Sequence, residues 1–317
     1  MSLDLLDTPL RVTWDVHGPA GATPLAVAQR VAARLSEAGV FFVSLGARPL
    51  AHPESAILFP LLRAGGCRLG FSCSGSSTEL AGLSRVIPAD SIFIDAAPFL
   101  RTGAIDDIAL TAVVAAVRGH GLAPGLQLVP TRVTLPLLPA LFDFCRQHGV
   151  TEVKLPNTPV PADVSPTWLA ELPDAAALAL FRETLGADPA AIARDLTLEI
   201  HDLFLWELLL LAGGGAGRGE YGGCQAGNTL AHIDAAGILY PCSSWPLALG
   251  SLCEASLEEL WATPARFALR DEVAAHPPGC RDCSDYDRCF GGCRGLSRTV
   301  APTASGRDLL CPAPRHN

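Results

Sequence analysis

The distribution of cysteine is the tightest constraint on how this chain folds. Of eleven cysteines, Cys67, Cys73 and Cys145 are scattered through the first two thirds, and the other eight fall after residue 211. Four of them lie in the fifteen residues "GCRDCSDYDRCFGGC" from Gly279 to Cys293, spaced Cys280-x2-Cys283-x5-Cys289-x3-Cys293. Cys224 and Cys242 precede this block, with Gly237 just ahead of Cys242, and Cys311 follows it. Thiols this dense in glycine-rich, loop-like sequence read as metal ligands before they read as core residues. A C-x2-C turn brings two thiolates to one centre, and thiolate is the soft ligand that zinc and iron-sulfur clusters select. Small neighbours, as in "GGC" at 222–224 and 291–293, let backbone amides reach sulfur. The segment is too poor in apolar residues for a core of its own, so bound metal would supply folding free energy. Spacing alone leaves two readings open: one four-thiolate zinc site at Cys280, Cys283, Cys289 and Cys293, or iron-sulfur ligation.

The rest of the chain is of a different kind. With 49% hydrophobic and 17% charged residues over 317 positions it reads as globular, and a net charge of -9 without a basic run excludes a nucleic-acid surface. The longest apolar stretch, "LFLWELLLLAG" from Leu203 to Gly213, carries Glu207 and is about half the roughly 20 residues that span a bilayer. It predicts a buried helix, and no membrane association is expected. The first residues, "MSLDLLDTPLRVTWDV", lack the basic and apolar regions of a signal peptide, so the expected location is the cytoplasm, where thiols stay reduced.

From Leu10 to Ile200, short apolar runs alternate with amphipathic ones. "RVTWDV", "VFFVSL", "CRLGFS", "SIFID", "LQLVP", "TEVKLP" and "LTLEI" predict strands. Between them, "TPLAVAQRVAARLSEAGV" predicts a helix with Thr23 as N-cap, Pro24 in first position and Gly39 as stop, and "LPALFDFCRQHGV" one that ends at Gly149. Alternation of this kind predicts an α/β fold with a parallel sheet, as a full or partial (β/α) barrel or a doubly wound sheet. The glycine-rich stretch 212–223 predicts a linker, which divides the chain into a barrel at 1–211 and a cysteine-rich domain at 224–317. In the latter, "SLEELWATPARFALRDEVA" carries one short helical signal.

The order Cys224, Gly237, Cys242, then Cys280-x2-Cys283-x5-Cys289-x3-Cys293, then Cys311 resembles the SPASM domain, the auxiliary-cluster domain of many radical S-adenosylmethionine (SAM) peptide-modifying enzymes. "HIDAAGILYPCSSW" is similar to the strand-turn-strand of that domain, with its turn near Asp234 and Gly237. The resemblance implies two 4Fe-4S clusters. Cys280, Cys283, Cys289 and Cys311 would hold one, and Cys224, Cys242 and Cys293 the other. Many members add a cysteine shortly before the first ligand, and "GAGRGEYGG" has none. The second cluster would then have an open corner, for which Cys253, His232, Asp234, a substrate thiolate and water are candidates. Cys253 itself fits a small hydrophobe better than a ligand.

The first 200 residues resemble the radical SAM partial (β/α)6 barrel, and depart from it at two points. That family carries C-x3-C-x2-C after its first strand, so that three thiolates leave one iron open to SAM; here "HGPAGATP" follows the first strand, and no cysteine occurs before Cys67. Its GGEP segment after the second strand corresponds to "SLGARPLAHP", which keeps Gly46 and Pro49 but places Arg48 where the acid stands. A cation there repels the SAM ammonium. Cys67, Cys73 and Cys145 read as strand and core thiols, and His17 as a loop residue. Asp95, Lys154, Asn157, His201 and Asp202 fall at predicted strand ends, where barrels place functional groups.

The layout resembles the SPASM partner of GeoRSP-type systems. This implies a non-catalytic auxiliary 4Fe-4S protein without SAM, beside a radical SAM/SPASM enzyme and a PqqD-like peptide-binding protein, that relays electrons or presents a peptide. Two alternatives remain open from the residues: an enzyme that uses the open corner of its cluster, and a structural zinc module.

Overall fold

Period-two alternation of apolar and polar residues builds the sheet. The structure, a computed structural model, describes residues 5–85, 89–101, 103–161, 163–210, 222–300 and 306–312. All seven predicted strands are present: β1 (Arg11–Asp15), β2 (Phe42–Gly46), β3 (Arg68–Cys73), β4 (Ser91–Asp95), β5 (Pro124–Gln127), β6 (Glu152–Leu155) and β7 (Thr197–Ile200). Three more follow, β8 (Leu230–Ile233), β9 (Ile238–Tyr240) and β10 (Gly250–Ser251). The fold is mixed α/β with parallel strands, as the alternation predicts. Its residues fall into two compact units, and each draws on chain from both sides of the glycine-rich stretch.

The first unit takes in the chain up to Asp95 together with Ala112–Pro124 and Gln225–Glu272. Its strands run in the order β4-β3-β2-β1-β8-β9-β10. Strands β1 to β4 and β8 pair in parallel, whereas β9 and β10 return antiparallel. One face carries Val12, Trp14, Val43, Leu45, Leu69, Phe71, Ile92, Ile94 and Ile233, all buried. The helix Leu25–Glu37 contributes Ala28, Val31 and Leu35 to the same core. The helix Ser55–Ala64 contributes Phe59, whose ring meets Phe71 edge-on at 4.8 Å. Burial of each large side chain is worth about 1.5–3 kcal/mol. On the opposite face the register sets His232, Thr13, Ser44, Gly70 and Ser91 in one row. Apart from Gly70, these residues are exposed or half-buried.

The second unit takes in Ala96–Thr111, Gly125–Cys224 and the chain from Val273 on. Its strands β5, β6 and β7 are parallel neighbours. The helix Leu138–His148 buries Leu138, Leu141, Phe142 and Cys145, and ends on Gly149 in the left-handed region at φ 63°, as its glycine signal predicts. The helix Leu203–Leu210 is buried along most of its length. Among the described residues no helix is long and apolar enough to cross a membrane.

Three local expectations change. Thr23 does not cap the helix Leu25–Glu37: it is buried, its hydroxyl donates to the Val16 carbonyl at 3.1 Å, and Pro24 takes the N-cap position without a side-chain bond. The single helical signal after Ser256 is two helices, Leu257–Trp261 and Pro264–Ala274. Pro264 has no amide to continue the first helix, but its fixed φ suits the start of the second. Strand β5 begins two residues before its predicted run. The predicted linker 212–223 lies outside the described residues except for Gly222 and Gly223.

Candidate metal centre

Four of the clustered thiols line a single hollow. Cys280, Cys283, Cys289 and Cys311, all in the second unit, border a small hollow that Phe204, Tyr286, Arg307 and Asp308 help to close. Local turns place them. A 3-10 turn over Pro278–Cys280 ends on the first thiol, and the Cys283 amide donates to the Cys280 carbonyl at 3.2 Å. A helical turn, Tyr286–Cys289, sets the third cysteine. The chain then reverses through three successive left-handed residues, Phe290 (φ 50°), Gly291 (φ 78°) and Gly292 (φ 65°). A left-handed phenylalanine is strained. Its ring lies 6.3 Å from that of Tyr286, which packs in turn on His276 at 3.8 Å. The buried Arg294 guanidinium donates to the Val273 and Ala275 carbonyls at 3.0 Å and ties the returning chain down.

The charges in the hollow fit a cationic cluster. Burial, with the neighbouring thiols Cys289 and Cys283, pushes the Cys280 thiol up to about 11. Burial, with the Asp308 carboxylate, does the same to Cys311. These thiols ionise when iron supplies the opposing charge, so cluster binding and thiol deprotonation are coupled. Asp308 is itself buried and is raised to about 6. Asp202 is raised well above its ordinary value, by burial first and the facing Asp308 charge second.

The remaining cysteines of the pattern stand apart from this hollow. Cys293 and Cys224 belong to the same unit and are half-buried, but they do not line it. Gly223, next to Cys224, is left-handed at φ 76°, and a side chain there would meet the Phe290 ring at 3.2 to 3.4 Å. Cys242 belongs to the first unit, just past β9, where it bridges to Trp245. No group of three or more His, Cys, Asp or Glu side chains among the described residues converges on a single ion. The hollow takes Cys311 and leaves out Cys293.

The family model for SPASM, an iron-sulfur cluster-binding domain, matches residues 224–284. This chain carries a SPASM domain. Solved structures resemble the protein over nearly its whole length. SuiB of Streptococcus suis bound to S-adenosylmethionine gives a TM-score of 0.68 at 16% identity, covering 97% of this chain and 78% of SuiB. SuiB bound to the precursor peptide SuiA gives 0.67 at 16% identity, covering 97% and 77%. The anSMEcpe enzyme with bound AdoMet and Cp18Cys peptide gives 0.65 at 15% identity, covering 95% and 93%. The SPASM-domain chain therefore has a radical SAM-like fold.

The strand ends of the first unit hold polar groups of another kind. After β1, a two-residue hairpin (His17–Gly18 with Gly21–Ala22) occupies the loop, and His17 Nδ1 bonds the Ala47 carbonyl at 2.8 Å. Ala47 and Arg48 are both left-handed, at φ 50° and 58°, and Arg48 is exposed. His52, fully buried, joins Thr23 O to Glu54 N through its two ring nitrogens. Asp15 ends β1 with Oδ2 3.9 Å from His232 Nε2, and His232 Nδ1 lies 2.9 Å from the Thr13 hydroxyl. Burial, with the Asp234 charge, raises Asp15 despite the facing histidine; burial lowers His232.

The SPASM hairpin forms as the sequence suggests, β8 turning into β9 through Gly237 at φ 80°. Asp234 is spent on that turn: Oδ1 accepts from the Ala236 and Ile238 amides, and Oδ2 from the Tyr240 hydroxyl. Cys253 is half-buried, and a side chain on Gly237 would lie 3.5 Å from its sulfur. Cys67, Cys73 and Cys145 are core thiols, with burial pushing Cys73 to about 11 and Cys145 to about 12. Asp95 ends β4. Lys154 and His201 both pair with Glu199, at 3.4 and 3.0 Å, and half-buried Asn157 follows β6. Asp202 caps the helix Leu203–Leu210 through the Phe204 and Leu205 amides. Sequence reasoning missed Asp308 altogether, since a single aspartate in "GRDLLC" carries no spacing signal.

Proposed function

We propose that this chain is an auxiliary iron-sulfur protein that works beside a radical SAM/SPASM enzyme on a peptide, without SAM chemistry of its own. Cys280, Cys283, Cys289 and Cys311 hold one 4Fe-4S cluster, and Cys224, Cys242 and Cys293 hold a second. When bound, such clusters pass single electrons. The observation that carries this reading is the lining of the hollow: Cys280, Cys283, Cys289 and Cys311 border it and Cys293 does not, which is the division the SPASM resemblance implies and not the compact four-thiolate zinc set.

The lack of independent SAM chemistry is supported by the first unit. The loop after β1 brings a histidine and a glycine hairpin in place of three thiolates, and Arg48 brings a cation in place of an acid. A peptide as substrate is supported by the peptides bound to SuiB and anSMEcpe. The row His232, Thr13, Ser44, Gly70 and Ser91 also fits a presenting surface, because ordinary barrels fill that face with bulky branched side chains. The PqqD-like protein is the partner that would deliver such a peptide, as in GeoRSP-type systems. We place the domain boundary at 212–223 and the working compartment in the cytoplasm.

Anaerobic reconstitution with iron and sulfide, followed by an assay for reductive SAM cleavage, tests the proposal. About eight irons per chain and no cleavage are expected, four irons for each cluster. Bound zinc without sulfide, or cleavage of SAM by the chain alone, overturns it.

A further inference from the structure

Cys311 is eighteen positions beyond Cys293, in a segment without helix or strand, yet its thiol borders the same hollow as Cys280, Cys283 and Cys289. Asp308 links the two stretches. Its Oδ2 accepts from the Cys293 amide at 2.6 Å, and its Oδ1 accepts from the Leu310 amide at 2.8 Å. The Cys311 amide donates to the Asp308 carbonyl at 3.2 Å, which closes a tight turn that aims Cys311 back at the hollow. Asp308 is 6% exposed, so each of these bonds forms away from water, where a missing partner costs most. Gly292 completes the fit: a Cβ there would collide with Asp308 Oδ2. The glycine before Cys293 is thus the notch into which this carboxylate sets.

We infer that Asp308 is a positioning residue for the thiol cluster, which locks the Cys311 turn to the Cys289–Cys293 turn and so delivers the fourth thiol to the hollow before any iron binds. The inference rests on the ligand set proposed above. It also explains why aspartate stands there rather than asparagine: two backbone amides approach from opposite sides, and only a carboxylate offers both an acceptor.

The test compares Asp308→Ala, Asp308→Asn and Cys311→Ser with the unaltered full chain. In the metal-free protein, hydrogen exchange at Cys293 and Leu310 should quicken by roughly tenfold or more in Asp308→Ala. It should quicken less in Asp308→Asn, which keeps one acceptor. After anaerobic reconstitution, Asp308→Ala should match Cys311→Ser, with loss of up to about four irons or, after oxidation, the paramagnetic signal of a three-iron cluster. Asp308→Asn should recover most of the iron. Gly292→Ala should behave as Asp308→Ala does. Gly186→Ala, with similar left-handed strain at φ 73° but away from the hollow and with nothing within 4 Å of the added Cβ, should retain its cluster.

Should Asp308→Ala keep the iron count, spectrum and exchange rates of the unaltered chain while Cys311→Ser loses a cluster, the inference is overturned. Should Cys311→Ser itself bind iron normally, the ligand set falls instead, and exchange at Cys293 and Leu310 alone decides for or against the lock.

Discussion

The loop after β1 and the hollow at Cys280 are the two places where the family resemblance would put iron, and this protein furnishes them in opposite ways. At the first, the chain supplies its own counter-groups: Asp15 faces His232, His17 bonds Ala47, and His52 bridges Thr23 to Glu54. At the second, four thiols gather around one hollow beside the buried Asp308 carboxylate, which Asp202 faces, with Arg307 in the wall. One loop is satisfied by protein groups, whereas the other gathers thiols that burial keeps protonated until a metal draws their protons off. Bound metal should therefore matter to the second and be irrelevant to the first.

The largest expected effect separates thiols of the two places. Cys289→Ser should remove about four of the eight irons proposed for the chain, since one proposed cluster loses a ligand. Cys73→Ser, at the end of β3, should leave the count unchanged and destabilise the protein by roughly 1–3 kcal/mol through a buried hydroxyl. Iron and sulfide analysis with urea unfolding reads both. Iron loss in Cys73→Ser would erase the contrast.

Next comes the pH dependence of the metal-free protein. The folded Asp308 carboxyl titrates at about 6 against an ordinary 3.8, so the folded state holds that proton more tightly than the unfolded chain does. Stability present below 3.8 is lost as pH rises through about 6. Asp202, raised by burial and by Asp308, acts in the same direction. Asp202→Asn keeps the Oδ1 acceptor for the helix amides and removes the facing charge, so it should stabilise the metal-free chain near pH 7 on the order of 1 kcal/mol. Denaturant midpoints between about pH 4 and pH 7 measure this. A profile that rises with pH would contradict it.

A smaller effect concerns the first unit. Asp234 was a candidate for the open corner of the second cluster, yet its carboxylate accepts three hydrogen bonds inside the β8–β9 hairpin. Asp234→Ala should cost about 1–2 kcal/mol of stability and leave the cluster spectrum alone. A changed spectrum at unchanged stability would make Asp234 a ligand after all.

What the sequence disclosed follows the range of the interactions. The strands were legible because alternation is local: Val12 with Trp14, Val43 with Leu45, and Ile92 with Ile94 each announce a buried face within five residues. Thr23 misled because the Val16 carbonyl, seven residues away, captures its hydroxyl. Spacing offered Cys280, Cys283, Cys289 and Cys293 as one compact set, and only the family resemblance exchanged Cys293 for Cys311, the thiol that borders the hollow. Asp308 was invisible because its partner is an amide fifteen positions away, and a main-chain donor leaves no mark in sequence.

The smallest expected effect is the one that sharpens the comparison most. Arg48 stands where the SAM-binding family has an acid, and Arg48→Glu restores it on an exposed turn, with stability expected to shift by about 0.5 kcal/mol or less. If the cation were the barrier, the variant would begin to cleave SAM under reducing conditions. The expected outcome is no cleavage, because the acid orients an ammonium that only an open iron can use, and the loop after β1 offers His17 and glycines where three thiolates are needed. Reductive cleavage assayed beside iron content decides it: activity in Arg48→Glu at an unchanged iron count would mean that a cluster of the second unit serves SAM, and the opposition between the two places would collapse into a single working site.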